Sequence, residues 1–106
     1  MSVASLQSLS ERVADAVGEY NGMTNSVDHI EEVALFGSYA DGNATEKSDV
    51  DLLVTFRSSV VSLFTLAQAL MVMEKHLGKN VDLVQTPLPE NALLNIHKVV
   101  PLYEGR

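Results

Sequence analysis

Two aspartates separated by one residue are the strongest chemical feature of the sequence. Asp49 and Asp51 flank Val50 at the start of an apolar run, Val50 to Phe56, that predicts a β-strand. Because residues i and i+2 of a strand point to the same face, the two carboxylates would project together, about 6.6–7 Å apart. At an effective dielectric constant of about 20 they would repel by roughly 2.5 kcal/mol, and Mg²⁺ would relieve this repulsion. The alternative is a solvated strand edge, the usual setting of an isolated D-x-D pair.

A glycine and a serine precede this pair at a distance that suits phosphate binding. Gly37 and Ser38 directly follow a second predicted strand, Ile30 to Phe36, in which Val33 to Phe36 form a buried apolar run. Glycine allows the backbone to turn and to approach a ligand closely, and Ser38 offers a hydroxyl and an N–H to a phosphate oxygen. If a helical turn begins at Ser38, its free N–H groups would face the same anion. A Gly-Ser turn is common, so its weight comes from the combination with the aspartates.

A third carboxylate interrupts the apolar run Val81 to Val84. Asp82 is costly in such a strand unless it is paired, binds a metal or faces a cleft. If this strand lies beside Val50–Phe56, Asp82 joins Asp49 and Asp51 on one face. Three such carboxylates suit a two-metal phosphoryl-transfer site, and Asp82 could also take a proton from an acceptor hydroxyl. The alternative is a hydrogen-bonded or edge-exposed aspartate.

Helices must hold these strands in place. Ser58, Ser59 and Ser62 are candidate N-caps of a long helix. The remaining predicted elements are a helix over Val3–Tyr20 ended by Gly18 and the polar residues 21–25, the long helix reaching Leu77 with Gly78 as its C′ residue, a helix at about Glu90–Lys98, and an edge strand over Val99–Tyr103. The order α-β-β-α-β-α predicts an α/β (α+β) layer structure, with helices packed on one small mixed sheet.

Composition narrows the function classes. The 106 residues are 46% hydrophobic and 20% charged, which predicts one globular domain over residues 1–106. Seven basic against fourteen acidic residues give a net charge of −7, which argues against direct nucleic-acid binding but not against a nucleotide accompanied by metal. The absence of cysteine excludes disulfides, thiolate zinc sites and cysteine nucleophiles. Residues 1–20 lack a basic region followed by an apolar block, so we expect no signal peptide, no membrane association and a cytoplasmic location.

The motifs resemble those of a known superfamily. Gly37–Ala40 followed by Asp49–Val54 is similar to the G-S-x10-D-x-D signature of the DNA polymerase β-like nucleotidyltransferases. Over nearly its full length the chain resembles the minimal nucleotidyltransferases (MNT proteins) of bacteria and archaea. The further matching positions are Gly42, Ala44, Ser48, the segment Leu77–Val84 and the segment Leu102–Glu104.

This resemblance implies a fold, an activity and residue roles. The fold would be the nucleotidyltransferase palm, and residues 1–106 would form a single minimal nucleotidyltransferase domain. ATP would be the substrate, with two Mg²⁺ ions bound by Asp49, Asp51 and Asp82. The same three aspartates would be catalytic, with Asp82 as the third catalytic carboxylate. Gly37 and Ser38 would bind the triphosphate.

The resemblance also implies a partner. MNT proteins act as antitoxins to HEPN-domain RNases by transferring AMP from ATP to a tyrosine hydroxyl near the RNase site. The sequence agrees with this, because the palm motifs leave no second domain to bind an acceptor. The segment Val60–Leu77 is apolar over more of its surface than one core stripe needs, although it would also suit a central core helix. Self-association is also compatible with the sequence.

One position departs from the family pattern. The family usually carries arginine after Ala40, and this chain has Asp41. Either nucleotide binding is weakened, or that arginine only supports the loop and Asp41 is tolerated. Two rival functions follow: a module that neutralises the toxin by binding alone, and a nucleotidyltransferase for a small molecule or an RNA end. We expect Lys47 and Arg57 to be solvated charges, and Tyr39 to pack or to stack on a base.

Overall fold

The computed structural model describes residues 5–88, 96 and 98–105. The helices are α1 (Leu6–Met23), the short α2 (Gly37–Asp41) and α3 (Leu63–Leu77), with a single 3-10 turn at Ser26–Asp28. The strands are β1 (Ile30–Phe36), β2 (Val50–Phe56), β3 (Val81–Gln85) and β4 (Val100–Glu104).

The described strands form one mixed sheet in the order β3-β2-β1-β4. β1 runs antiparallel to both β2 and β4, whereas β2 and β3 are parallel and are joined by the crossover helix α3. This confirms the predicted α/β architecture. The bounds predicted for β1 and β2 are confirmed, β3 is one residue longer than predicted, and β4 is shifted by one residue and forms an edge of the sheet.

The core lies between one face of the sheet and helices α1 and α3. Alternate residues of β2 (Val50, Leu52, Val54 and Phe56) are buried together with Leu9, Val13 and Tyr20 of α1 and Val72, Met73 and Leu77 of α3. Because side chains alternate along a strand, Asp51 faces away from these helices. The packing of the helices on one face therefore leaves the aspartate on the other.

The first helix does not end where the sequence suggests. It begins after the N-cap Ser5, whose side chain accepts a hydrogen bond from the Ser8 N–H, and it continues through Gly18 to Met23. Val17 and Tyr20 are fully buried on either side of Gly18, and this burial outweighs the low helix propensity of glycine. Asn21 bonds the N–H and the carbonyl of Ile30 (2.8 and 3.2 Å), which ties the last turn of the helix to β1.

Helix α3 has both a buried and an exposed apolar face. Val72, Met73 and Leu77 belong to the core, whereas Leu63 and Phe64 are 84% and 79% exposed. Met71 and Val60 add to the exposed side. The sequence left open whether this helix was a core helix or broader than a core stripe needs, and the structure shows both properties.

The N-cap of α3 is Ser62, whose Oγ accepts a hydrogen bond from the Thr65 N–H at 3.1 Å. We expect Ser62→Ala to lower the free energy of unfolding by about 1 kcal/mol, because it leaves that N–H without its partner. Ser59→Ala removes an exposed hydroxyl that does not cap the helix and should change the free energy of unfolding by less than about 0.5 kcal/mol. Urea denaturation measures both values, and equal effects would contradict the cap assignment.

Two sequence predictions concern the ends of the chain. The helix predicted at about Glu90–Lys98 lies for the most part outside the described residues, as does the predicted start of the first helix at Val3. None of the helices in the described ranges is long and apolar enough to cross a membrane.

Candidate active site

Asp51 and Asp82 are neighbours across two parallel strands. In the register of β2 and β3, the Cα of Asp51 is paired with the Cα of Asp82. Paired residues of adjacent strands present their side chains on the same face, and here it is the face opposite the helices. The strand of Asp82 therefore lies beside Val50–Phe56, which is the arrangement in which the sequence predicts that Asp82 joins the other two aspartates.

Asp49 and Asp82 act electrostatically on Asp51. The pKa of Asp51 is raised above its usual value, first because its carboxyl is partly removed from water and then because Asp82 and Asp49 place negative charge nearby. Asp51 is half-buried, whereas Asp49 and Asp82 are exposed. A bound cation would therefore stabilise the ionised form of Asp51, which burial and the neighbouring charges disfavour.

Gly37 makes room for the Asp51 carboxylate. It adopts a positive φ of 74°, and a Cβ built on it would collide with the Oδ2 of Asp51 and come within 2.9 Å of its Cγ. Phe36, the residue before it, is paired with Asp51 across β1 and β2. Glycine is required here for two reasons, the left-handed backbone and the close approach of the carboxylate.

A short helix begins at this glycine, as the sequence suggested for Ser38. Helix α2 runs from Gly37 to Asp41, and its C-cap is Gly42, whose φ is 82° and whose N–H donates to the Ser38 carbonyl. Ala40 is buried and anchors the helix to the core. Within the described part of the chain the Ser38 hydroxyl makes no hydrogen bond, so it is free to meet a ligand.

The loop that leads from α2 to Asp49 is held by its own hydrogen bonds. The Ser48 Oγ accepts from the Thr45 N–H at 2.9 Å, and the Thr45 carbonyl accepts from the Ser48 N–H at 3.0 Å. The N–H of Val50 then donates to the Asn80 carbonyl at 3.0 Å. These bonds fix Asp49 at the point where β2 begins beside β3.

An open groove of about 610 Å³ lies next to Asp49. Its walls are the loop before β2 and the segment between α3 and β3, and its lining residues are Glu46, Lys47, Ser48, Asp49, Glu74, Gly78, Lys79 and Asn80. This groove is large enough for a small ligand or for a side chain of an acceptor.

The aspartate carboxylates are suitable ligands for Mg²⁺, but they do not form a complete metal site without further ligands. Carboxylate oxygens are the ligands this ion prefers, and the gap at Gly37 lets the Asp51 carboxylate lie against the backbone of the Gly-Ser turn. In the described ranges, no three imidazole or carboxylate groups are placed so that they could hold a metal ion by themselves. This agrees with the habit of Mg²⁺, which takes one or two carboxylates and completes its shell with substrate phosphates and water.

The sequence missed one side of this site. Lys79 lies in the segment Leu77–Val84 that resembles the family, but the sequence predicts no role for it, and Glu74 follows no motif pattern. The parallel pairing of β2 and β3 places the connection that carries Lys79 beside Asp49. Lys47 is exposed, as expected of a solvated charge, and it also lines the groove. Arg57 is as expected: it forms an exposed ion pair with Glu31 (3.2 Å) at the opposite end of β2. Tyr39 packs against the core while Lys79 lies over its ring.

A mixed sheet that carries aspartates on its open face, beside a Gly-Ser helix start, is the architecture of a nucleotidyltransferase palm. Comparison with protein families agrees with this assignment. The model of the nucleotidyltransferase domain family matches residues 11–101, and the chain belongs to that family.

Named relatives are similar to part of the chain. The chain is 44% identical over 55 residues to the protein adenylyltransferase MntA of Thermococcus cleftensis. The aligned segment covers 52% of this chain and 54% of that protein. The chain thus aligns with little more than half the length of the first curated relatives it matches.

Solved structures show the same fold. A toxin–antitoxin structure with AMP-PNP matches 92% of this chain and 74% of its own with a TM-score of 0.69 at 17% identity. The complex of a tri-AMPylated Shewanella oneidensis HEPN toxin with an MNT antitoxin matches 96% of this chain and 74% of its own, with a TM-score of 0.63 at 16% identity. Both likenesses confirm the nucleotidyltransferase fold.

Proposed function

We propose that this protein is a Mg²⁺-dependent protein adenylyltransferase that transfers AMP from ATP to a tyrosine hydroxyl of a HEPN-domain RNase, and so acts as its antitoxin. The observation that carries this proposal is the pairing of Asp51 with Asp82 on the open face of the sheet, with Asp51 seated against Gly37. The name of the Thermococcus relative and the contents of the two toxin–antitoxin structures support the choice of AMP donor and partner.

Each residue has a role in the proposed mechanism. Gly37 and Ser38 bind the triphosphate through the close backbone and the free hydroxyl, while Asp49 and Asp51, with Asp82, are the residues that would hold metal. When bound, Mg²⁺ would offset the charge of the phosphates and of these carboxylates. Asp82 is exposed on the outer strand of the sheet, so an acceptor can reach it.

The transfer itself is an in-line displacement. Asp82 takes the proton of the acceptor hydroxyl, and the hydroxyl oxygen forms a bond to the α-phosphorus of ATP. The bond between the α-phosphorus and the bridging oxygen breaks, and pyrophosphate leaves with its electrons. The products are AMP esterified to the tyrosine oxygen and diphosphate.

The surface favours an acceptor on another chain. The exposed apolar side of α3, with Leu63, Phe64 and Met71, offers contact area that the described core does not use. The net charge of −7 would suit a basic RNA-binding partner.

The rival function, neutralisation of the toxin by binding alone, needs no nucleotide. We therefore expect the RNase activity of a partner HEPN protein to fall when ATP and Mg²⁺ are added with this protein, and to stay low after the two proteins are separated under denaturing conditions and the RNase is refolded. Silencing that occurs equally without ATP, and that is lost on separation, would favour the masking module and contradict the proposal. An RNase that stays active both with and without ATP would contradict the adenylyltransferase proposal and the masking function alike.

A further inference from the structure

The groove beside Asp49 contains two lysines, Lys47 and Lys79, among three acidic residues, Glu46, Asp49 and Glu74. Other basic side chains are engaged elsewhere: Arg57 pairs with Glu31 at 3.2 Å and Lys75 pairs with Glu19 at 2.9 Å. Lys47 and Lys79 thus place positive charge beside Asp49 in a chain with a net charge of −7.

Lys79 is held in a defined position. Its Nζ donates to the Glu46 carbonyl at 2.6 Å and lies 6.0 Å from the centre of the Tyr39 ring. Tyr39 belongs to α2, the helix that starts at the Gly-Ser turn, so Lys79 bridges that helix and the loop before Asp49. This geometry restrains a long, flexible side chain before any ligand arrives.

Within the described residues, the ammonium group of Lys79 forms no ion pair. Among the residues that the structure describes, no carboxylate lies within ion-pair distance of its Nζ. One carbonyl uses one of the three donors of the ammonium group, which leaves two for a ligand. A cation that is fixed in place and unpaired at the mouth of a groove is suited to an anion.

We propose that Lys79 is a nucleotide-binding residue that contacts the β- or γ-phosphate of the bound triphosphate. This rests on the proposed function, in which Gly37 and Ser38 bind the same triphosphate. Asp41 is exposed at the C-terminal end of α2, so this helix supplies no positive charge for the phosphates. Lys79 provides that charge from the neighbouring strand connection.

The test compares nucleotides that differ only in their outer phosphates. Binding of a non-hydrolysable ATP analogue and of AMP is measured by calorimetry with Mg²⁺, in the absence of any partner. We expect Lys79→Gln to weaken binding of the triphosphate by about tenfold and binding of AMP by less than about twofold, because a charge-assisted hydrogen bond to an outer phosphate is lost. Lys79→Arg should restore the triphosphate affinity to within about threefold.

The control is Arg57→Gln, which removes the same charge at the far end of β2 and should leave both affinities unchanged. If Lys79 only fastens the loop to Glu46, its replacement by glutamine weakens AMP and the triphosphate alike and lowers the melting temperature, which overturns the proposal. Unchanged triphosphate affinity in Lys79→Gln also overturns it while leaving the proposed function intact. A wild-type protein that binds no triphosphate contradicts the proposed function itself.

Discussion

Replacement of Asp51 by asparagine is expected to lower AMP transfer by about three orders of magnitude and to raise the melting temperature of the metal-free protein by a few degrees. The loss follows because the carboxylate seated against Gly37 can no longer bind metal beside the phosphates. The gain follows from the raised pKa of Asp51, since burial and the charges of Asp82 and Asp49 disfavour its ionised form in the fold.

The pH dependence has a definite sign. Because the pKa of Asp51 is higher in the folded than in the unfolded protein, its ionised form opposes folding above that pKa. The metal-free protein therefore gains stability as the pH falls through the interval between the folded and the unfolded pKa. The Asp51→Asn variant should lack this contribution, which thermal melts at a series of pH values would detect.

Added Mg²⁺ gives a readout that does not depend on turnover. Mg²⁺ should raise the melting temperature of the wild-type protein in the presence of an ATP analogue, and much less that of Asp51→Asn. Asp15→Asn is the matched control, because Asp15 is exposed on α1, which packs on the other face of the sheet. A variant at position 51 that transfers AMP at the wild-type rate would remove the aspartate from the mechanism.

Gly37→Ala is expected to lower the free energy of unfolding by at least about 2 kcal/mol and to lower transfer by about a hundredfold. The new Cβ must occupy the place of the Asp51 carboxylate, with its Cγ only 2.9 Å away, and the residue must also keep a positive φ. The carboxylate would have to move, and a displacement of about 1 Å of a catalytic group is enough for such a loss of rate.

A second glycine separates the effect of the Asp51 contact from the effect of the positive φ. Gly42 has a similar φ of 82°, but a Cβ added there meets no atom within 4 Å. Gly42→Ala therefore carries only the backbone cost, about 1–2 kcal/mol, and should transfer AMP at close to the wild-type rate once folded. If both alanine variants lose transfer equally, the contact between position 37 and Asp51 is not what the site needs.

The local parts of this site were predictable from the sequence. The apolar runs that form β1 and β2 are flanked by polar residues and a glycine, so their bounds follow from composition alone. The cap at Ser62 and the left-handed Gly78 follow from the preferences of helix ends. These features depend on residues that are close in sequence, so the order of residue types is enough to predict them.

The assembled site depends on contacts distant in sequence. Asp51 is paired with Asp82 because β3 lies parallel beside β2. The periodicity of the sequence predicts each strand but not which strands are neighbours. The position of Lys79 over Tyr39 depends on the connection between α3 and β3, which begins at Gly78, 40 positions after Ser38, and no spacing rule predicts it. The end of α1 was misjudged because burial of Val17 and Tyr20 offset the cost of Gly18.

AMP transfer is tested most directly with ATP labelled at the α-phosphate, Mg²⁺ and a HEPN protein that forms a stable complex with this chain. We expect label on a tyrosine of the HEPN protein, no label from ATP labelled at the γ-phosphate, loss of the signal with Asp51→Asn and an unchanged signal with Asp15→Asn. Absence of label with the wild-type protein, in a mixture where the stable complex forms, would rule out the proposed adenylyltransferase activity.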